Sequence, residues 1–193
     1  MRLIIRVLCC LAAVLLLPLF GAGIAAAAGT SPHQLAATTL HYDASGAKDY
    51  QAEIEAAVQN WNGDVHNVQL AAAQQGQAAD FTITEDDDWP RTYPGEKVGT
   101  GKVVIGKQAV DQGYDKTRIA AHEIGHILGL PDNRDGQCST LMSGHSAPTS
   151  CTVAHPNQAE RAQVEQNFAG GGAIARQART GAYVDCFAEK VTS

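Results

Sequence analysis

His122-Glu123-Ile124-Gly125-His126-Ile127-Leu128-Gly129-Leu130-Pro131-Asp132 is the stretch that decides how this chain is read. Residues four apart share a helix face, so His122 and His126 aim two imidazoles at one point. Ala120, Ile124, Ile127 and Leu128 fall on the opposite side and read as an apolar back behind a polar front. Gly129 stops the helix, because glycine takes the left-handed conformation that turns a chain. Leu130-Pro131 carries the chain back, and Asp132 offers a carboxylate to the same point. Two histidines, a carboxylate and an open fourth position suit a catalytic zinc ion. Glu123 projects differently from His122 and is placed for the water on such a metal. Zinc lowers the pKa of its water to about 7. Glu123 then acts as general base, and as general acid toward the leaving amine.

Outward from the motif, the pattern predicts a helix from about Asp115 to Leu128 or Gly129. Residues 38–42, 68–72, 80–84 and 102–105 read as short strands. Asp49 is expected to cap a helix running to about Trp61, with Tyr50, Ile54, Val58 and Trp61 on one face. Residues 85–88, Glu-Asp-Asp-Asp, read as a solvated turn. Residues 89–101 are rich in Gly, Pro and polar side chains and read as a loop with room for an irregular edge strand. Another loop spans 130–155, and Pro156 suits the start of a last helix ending near Phe168. The expected fold class is α+β: a twisted mixed sheet packed on an N-terminal helix and the metal-binding helix, with a C-terminal helix behind. Met142 falls in a tight turn after the motif, where it can form an apolar floor beneath a metal.

The length of 193 residues suits one ordinary domain. Arg2 and Arg6, the apolar run 7–20 and the small residues 25–28 read as a secretory signal peptide over 1–28. The run is short for a spanning helix, so no membrane association is expected after cleavage. Residues 29–36 read as a short pro-segment or spacer, 37–169 as the catalytic domain, and 170–193 as a Gly-led tail with no assigned role. A net charge of −6 with scattered Lys and Arg argues against a nucleic-acid surface. A secreted, extracellular monomer acting on protein or peptide is the expectation. Export permits a disulfide. Cys138 and Cys151 would close a short loop beside the motif, and Cys186 is left over.

The extended motif with a methionine turn resembles the metzincin metalloproteases, in which the third ligand is usually His. With Asp132 in that place, the chain is similar to the snapalysin family of small secreted neutral metalloproteases. The similarity runs from about Thr38 to Phe168. It includes Tyr42-Asp43-Ala44-Ser45, Asn67-Val68-Gln69-Leu70, Leu141-Met142-Ser143-Gly144 and the stretch 156–161. The resemblance implies a metzincin-like zinc endopeptidase with His122, His126 and Asp132 as ligands and Glu123 as catalytic residue. It implies a Cys138–Cys151 disulfide and a preference for an aromatic residue just after the scissile bond. It also implies one calcium ion, at Asp115 and Thr117. The chain departs from the family at Arg134, where a tyrosine often stands. A guanidinium there can stabilise an oxyanion or simply be a solvated surface group. His145, close to the methionine turn, is a further candidate for lining the cleft. His33, His41, His66 and His155 read as structural or exposed.

Two other readings fit the residues. One is a zinc protease whose third ligand is Glu160 or Glu165 on the last helix. The other is a secreted metal-binding or interaction protein without turnover.

Overall fold

Thr38–Gly46 forms β1, whose β-branched start and buried Leu40 suit a pleated, half-buried surface. A 3-10 turn at Lys48–Tyr50 leads into α1 (Gln51–Asp64), and β2 (Val68–Ala72) and β3 (Phe81–Asp86) follow. Next come β4 (Arg91–Pro94), β5 (Gly101–Gly106) and the short α2 (Lys107–Asp111). The motif helix α3 covers Lys116–Ile127, a second 3-10 turn covers Leu141–Ser146, and α4 covers Gln158–Asn167. This computed structural model describes residues 36–170. The expected signal peptide, most of the spacer, nearly all of the tail and Cys186 lie outside them. Among the described residues, no helix is long and apolar enough to cross a membrane.

The strands form one mixed sheet in the order β2-β1-β3-β5-β4. Neighbours are parallel except β4, which lies antiparallel on β5 at the edge. Parallel neighbours need a crossover, and α1 supplies the one between β1 and β2. The expected α1 face is buried, with Trp61 fully enclosed. Its indole N–H donates to the Ala121 carbonyl at 2.9 Å and ties α1 to α3.

Several expectations need correction. Asp49 is not the cap of α1; it lies inside the 3-10 turn, and Tyr50 stands at the cap without a side-chain bond. The amide of Gln51 instead ties the helix start down, donating to the Ala44 and Ala47 carbonyls at 2.7 and 2.8 Å. Glu85 and Asp86 belong to β3 rather than to a solvated turn, because Asp86 is paired with Arg91. Within 89–101, residues 91–94 form a regular ladder with β5. Pro94 ends that strand at the sheet edge, a position proline tolerates. The last helix is started by Asn157, not Pro156. The Asn157 side chain accepts from the Ala159 and Glu160 N–H groups, and Glu160 reaches back to the Asn157 N–H in a capping box.

The motif helix α3 forms where expected, and both of its faces are enclosed. Every residue from Arg118 to Ile127 is buried, so the polar front is covered as fully as the apolar back. The helix runs through the interior and carries its histidines there. Burial on that scale is stable only if every polar side chain finds a partner.

Candidate active site

His122 and His126 are fully buried, and their Nε2 atoms face each other 3.2 Å apart. Asp132 Oδ1 lies 3.3 Å from the first and 3.5 Å from the second. These donors form the metal-competent cluster among the described residues. Zinc–nitrogen and zinc–oxygen bonds of about 2.0–2.1 Å in a tetrahedron put neighbouring donors about 3.3 Å apart. The three separations match that edge length.

The other ring nitrogens show what the cluster lacks. His122 Nδ1 is 3.0 Å from the Leu141 carbonyl, and His126 Nδ1 is 2.8 Å from the Leu130 carbonyl. A carbonyl only accepts, so each Nδ1 carries the proton and donates. In a neutral imidazole each Nε2 then presents its lone pair toward its neighbour and a carboxylate, an arrangement that a cation satisfies. The electrostatics point the same way. Burial pulls the His122 pKa down, but Asp132 and Glu123 outweigh it and the net shift is upward. Burial pushes Asp132 up, but the two histidines beside it hold it well below the usual carboxylate range. Two imidazole nitrogens and a carboxylate are a donor set that suits zinc.

Local folding explains how the third donor arrives. Gly129 has φ +95, the Gly129 N–H bonds the His126 carbonyl at 3.1 Å, and the Leu130 N–H bonds the Gly125 carbonyl at 3.0 Å. This is a Schellman ending. It returns the Leu130 carbonyl to His126 and brings Asp132 back over the histidines. Met142, 1% exposed, packs against the helix backbone at Gly125, where a Cβ would stand 2.7 Å from its sulfur. Cys138 and Cys151 are bridged, closing the loop around the turn.

Residues 37–171 match the profile of the Streptomyces extracellular neutral proteinase (M7) family. The chain belongs to this family. It is 45% identical over 134 residues to the extracellular small neutral protease of Streptomyces caespitosus, covering 69% of this chain and 98% of the relative. It is 44% identical over 146 residues to that of Streptomyces sp. strain C5, covering 75% and 62%. For the Streptomyces coelicolor protein the figures are 45% over 136 residues, 70% and 61%. The chain spans about three fifths of the length of those last two relatives. Membership in the M7 family bears out the resemblance that the motif carried.

Glu123 in this M7-family chain is fully buried beside His122. Burial raises its pKa against the pull of His122, His126 and a hydrogen bond from Thr92. Thr92 Oγ1 stands 2.7 Å from Glu123 Oε2 and 3.1 Å from the Glu123 carbonyl. Its one proton goes to the carboxylate, the closer and charged acceptor. Sequence reasoning missed Thr92, and no local pattern in the Gly- and Pro-rich stretch marks it.

Arg134 lies with Nη2 3.4 Å from Asp132 Oδ2 and Nη1 3.4 Å from His145 Nδ1. The structure thus brings Arg134 and His145 together beside the third donor. The alternative third ligands are engaged elsewhere. Glu160 accepts from Leu141, Met142 and Asn157 N–H groups, and Glu165 accepts from His66 and Asn67 N–H groups. Asp115 caps α3 by accepting from the Arg118 N–H at 2.8 Å, and Thr117 sits half-buried in the first turn.

Proposed function

We propose that this chain is a secreted, metzincin-like zinc endopeptidase that acts on protein substrates outside the cell as a monomer. The observation that carries the reading is the triangle of two imidazole Nε2 atoms and a carboxylate oxygen with zinc-sized edges, next to a buried glutamate. The names of the M7-family relatives, extracellular small neutral proteases, support both the activity and the location.

His122, His126 and Asp132 would hold the zinc. Zinc held there would supply Lewis acidity toward a water and the scissile carbonyl. Glu123, oriented by Thr92, takes the proton from the attacking water and returns it to the leaving amine. Enclosure keeps the Glu123 carboxylate poorly solvated and therefore basic. Among the described residues no strand pairs with the outer edge of β4, which packs beside this helix, and an extended peptide could add main-chain hydrogen bonds there. Arg134, beside Asp132, is the candidate donor to an oxyanion on the substrate.

Two finer features belong to the same proposal. A preference for an aromatic residue just after the scissile bond is tested by peptides carrying Phe or Ala there. Calcium at Asp115 and Thr117 would compete with the helix cap for one carboxylate oxygen, and calcium titration of the melting temperature tests it.

Casein hydrolysis tests the whole reading. Activity abolished by a zinc chelator and restored by zinc is the expected result. A folded, zinc-loaded protein with no hydrolysis would favour a metal-binding role without turnover.

A further inference from the structure

The backbone of Leu141–Met142 has all four polar groups committed, and they divide by destination. The two carbonyls serve the metal site. The Leu141 carbonyl accepts from His122 Nδ1 at 3.0 Å, and the Met142 carbonyl accepts at 2.8 Å from the N–H of Asn133, the residue after Asp132. The two N–H groups go to one carboxylate on α4. Leu141 N–H donates to Glu160 Oε2 at 3.2 Å and Met142 N–H to Glu160 Oε1 at 2.8 Å.

Glu160 is 7% exposed, and Oε2 also accepts the Asn157 N–H at 2.7 Å, so its own helix cap fixes the carboxylate. The turn is held from the other side by Arg118 on α3, which is 2% exposed. Arg118 donates to the Thr140 carbonyl at 2.6 Å, Ser143 Oγ at 2.9 Å, the Cys138 carbonyl at 3.0 Å and the Val153 carbonyl.

The Leu141 carbonyl and the Met142 N–H belong to the same peptide group. A charge on Glu160 therefore polarises the very carbonyl that His122 donates to. Hydrogen bonds in such a chain strengthen one another. A histidine ligand whose far nitrogen donates to a strong acceptor is fixed in tautomer and is more basic at its metal-facing nitrogen.

We propose that Glu160 is a positioning residue for the metal site, acting on His122 and on the Asp132 segment through the Leu141–Met142 backbone. This rests on the metal-site reading above. Glu165 supplies a matched comparison. It is another α4 carboxylate accepting two consecutive backbone N–H groups, His66 at 2.6 Å and Asn67 at 2.8 Å, but it leads to β2 and not to the site.

The test measures zinc dissociation constants by chelator competition in the full chain, with Glu160→Gln and Glu165→Gln beside the unsubstituted protein. Glu160→Gln is expected to weaken zinc about tenfold, the lower end of what loss of such a partner costs. It should also shift the His122 Nδ1 signal in ¹⁵N-histidine spectra. Glu165→Gln should leave both unchanged even where it lowers the melting temperature as much. Equal weakening in the two variants, or unchanged affinity in Glu160→Gln, overturns the proposal. Failure of the unsubstituted protein to bind zinc overturns the metal-site reading itself. If Glu160→Gln does not fold, spectra of the unsubstituted, metal-free protein at pH 8 decide. A His122 protonated at Nδ1 supports the clamp, and one protonated at Nε2 overturns it.

Discussion

Replacing Gly129 with alanine separates two costs that the structure stacks at one residue. The first is conformational. At φ +95 an L side chain is strained, by roughly 1–2 kcal/mol. The second is contact. A Cβ at Gly129 would stand 2.6 Å from Asn167 Nδ2 and 3.2 Å from Val98 Cγ1. Asn167 is 4% exposed and donates to the Leu128 carbonyl at 2.9 Å, the last turn of α3. Pushing that amide aside costs a buried hydrogen bond, about 1–3 kcal/mol. The sum is about 3 kcal/mol, and urea unfolding with and without zinc reads it. Gly113 is the control. Its φ is +92, but nothing lies within 4 Å of the Cβ position. Gly113→Ala should therefore show only the conformational cost. Gly129→Ala should also weaken zinc, because the turn sets the Leu130 carbonyl that His126 donates to. If Gly129→Ala costs no more than Gly113→Ala, the contact with Asn167 is not what holds the end of the metal helix.

Three further outcomes follow from particular contacts. Gly125→Ala places a Cβ 2.7 Å from the Met142 sulfur and 3.3 Å from Trp61 Cζ2, in a filled core. Overpacking there should cost about 1–3 kcal/mol in chemical denaturation. Thr92→Val removes the hydroxyl that stabilises ionised Glu123, so the Glu123 pKa rises. A general base works deprotonated, so the acid limb of the kcat/KM profile should move to higher pH. An acid limb that stays in place or moves down would separate Thr92 from the base. Replacing both Cys138 and Cys151 with alanine opens a loop of sequence separation 13 and should cost about 3 kcal/mol of stability. Unchanged unfolding would show that Arg118 alone holds the loop.

The candidate metal donors were legible because helical spacing, a glycine stop and a short return are local rules. His122, His126, Gly129 and Asp132 obey them within one stretch of chain. β2 was legible for the same reason: a short apolar run between polar ends. The environment of the site was not. Periodicity separates an apolar back from a polar front on α3, but not what covers that front: the turn at Leu141–Ser146 and strand β4 pack on the helix from distant parts of the chain. Thr92 meets Glu123 across 31 residues, and Glu160 meets the methionine turn across 18 and 19. Glu160 read as a possible ligand because its residue type suits zinc. Only tertiary packing shows that its carboxylate is spent on backbone N–H groups. The acidic neighbours of Asp86 read as a solvated turn, and its pairing with Arg91 is equally invisible to local pattern.

The central claim is that one site both binds zinc and uses Glu123 to move a proton. Glu123→Ala, purified and assayed side by side with the unsubstituted protein for zinc content and casein hydrolysis, tests it most directly. One zinc per chain in both proteins and a loss of hydrolysis of about 10²–10⁴-fold in the variant are expected. A Glu123→Ala protein that keeps its zinc and full hydrolysis would contradict it.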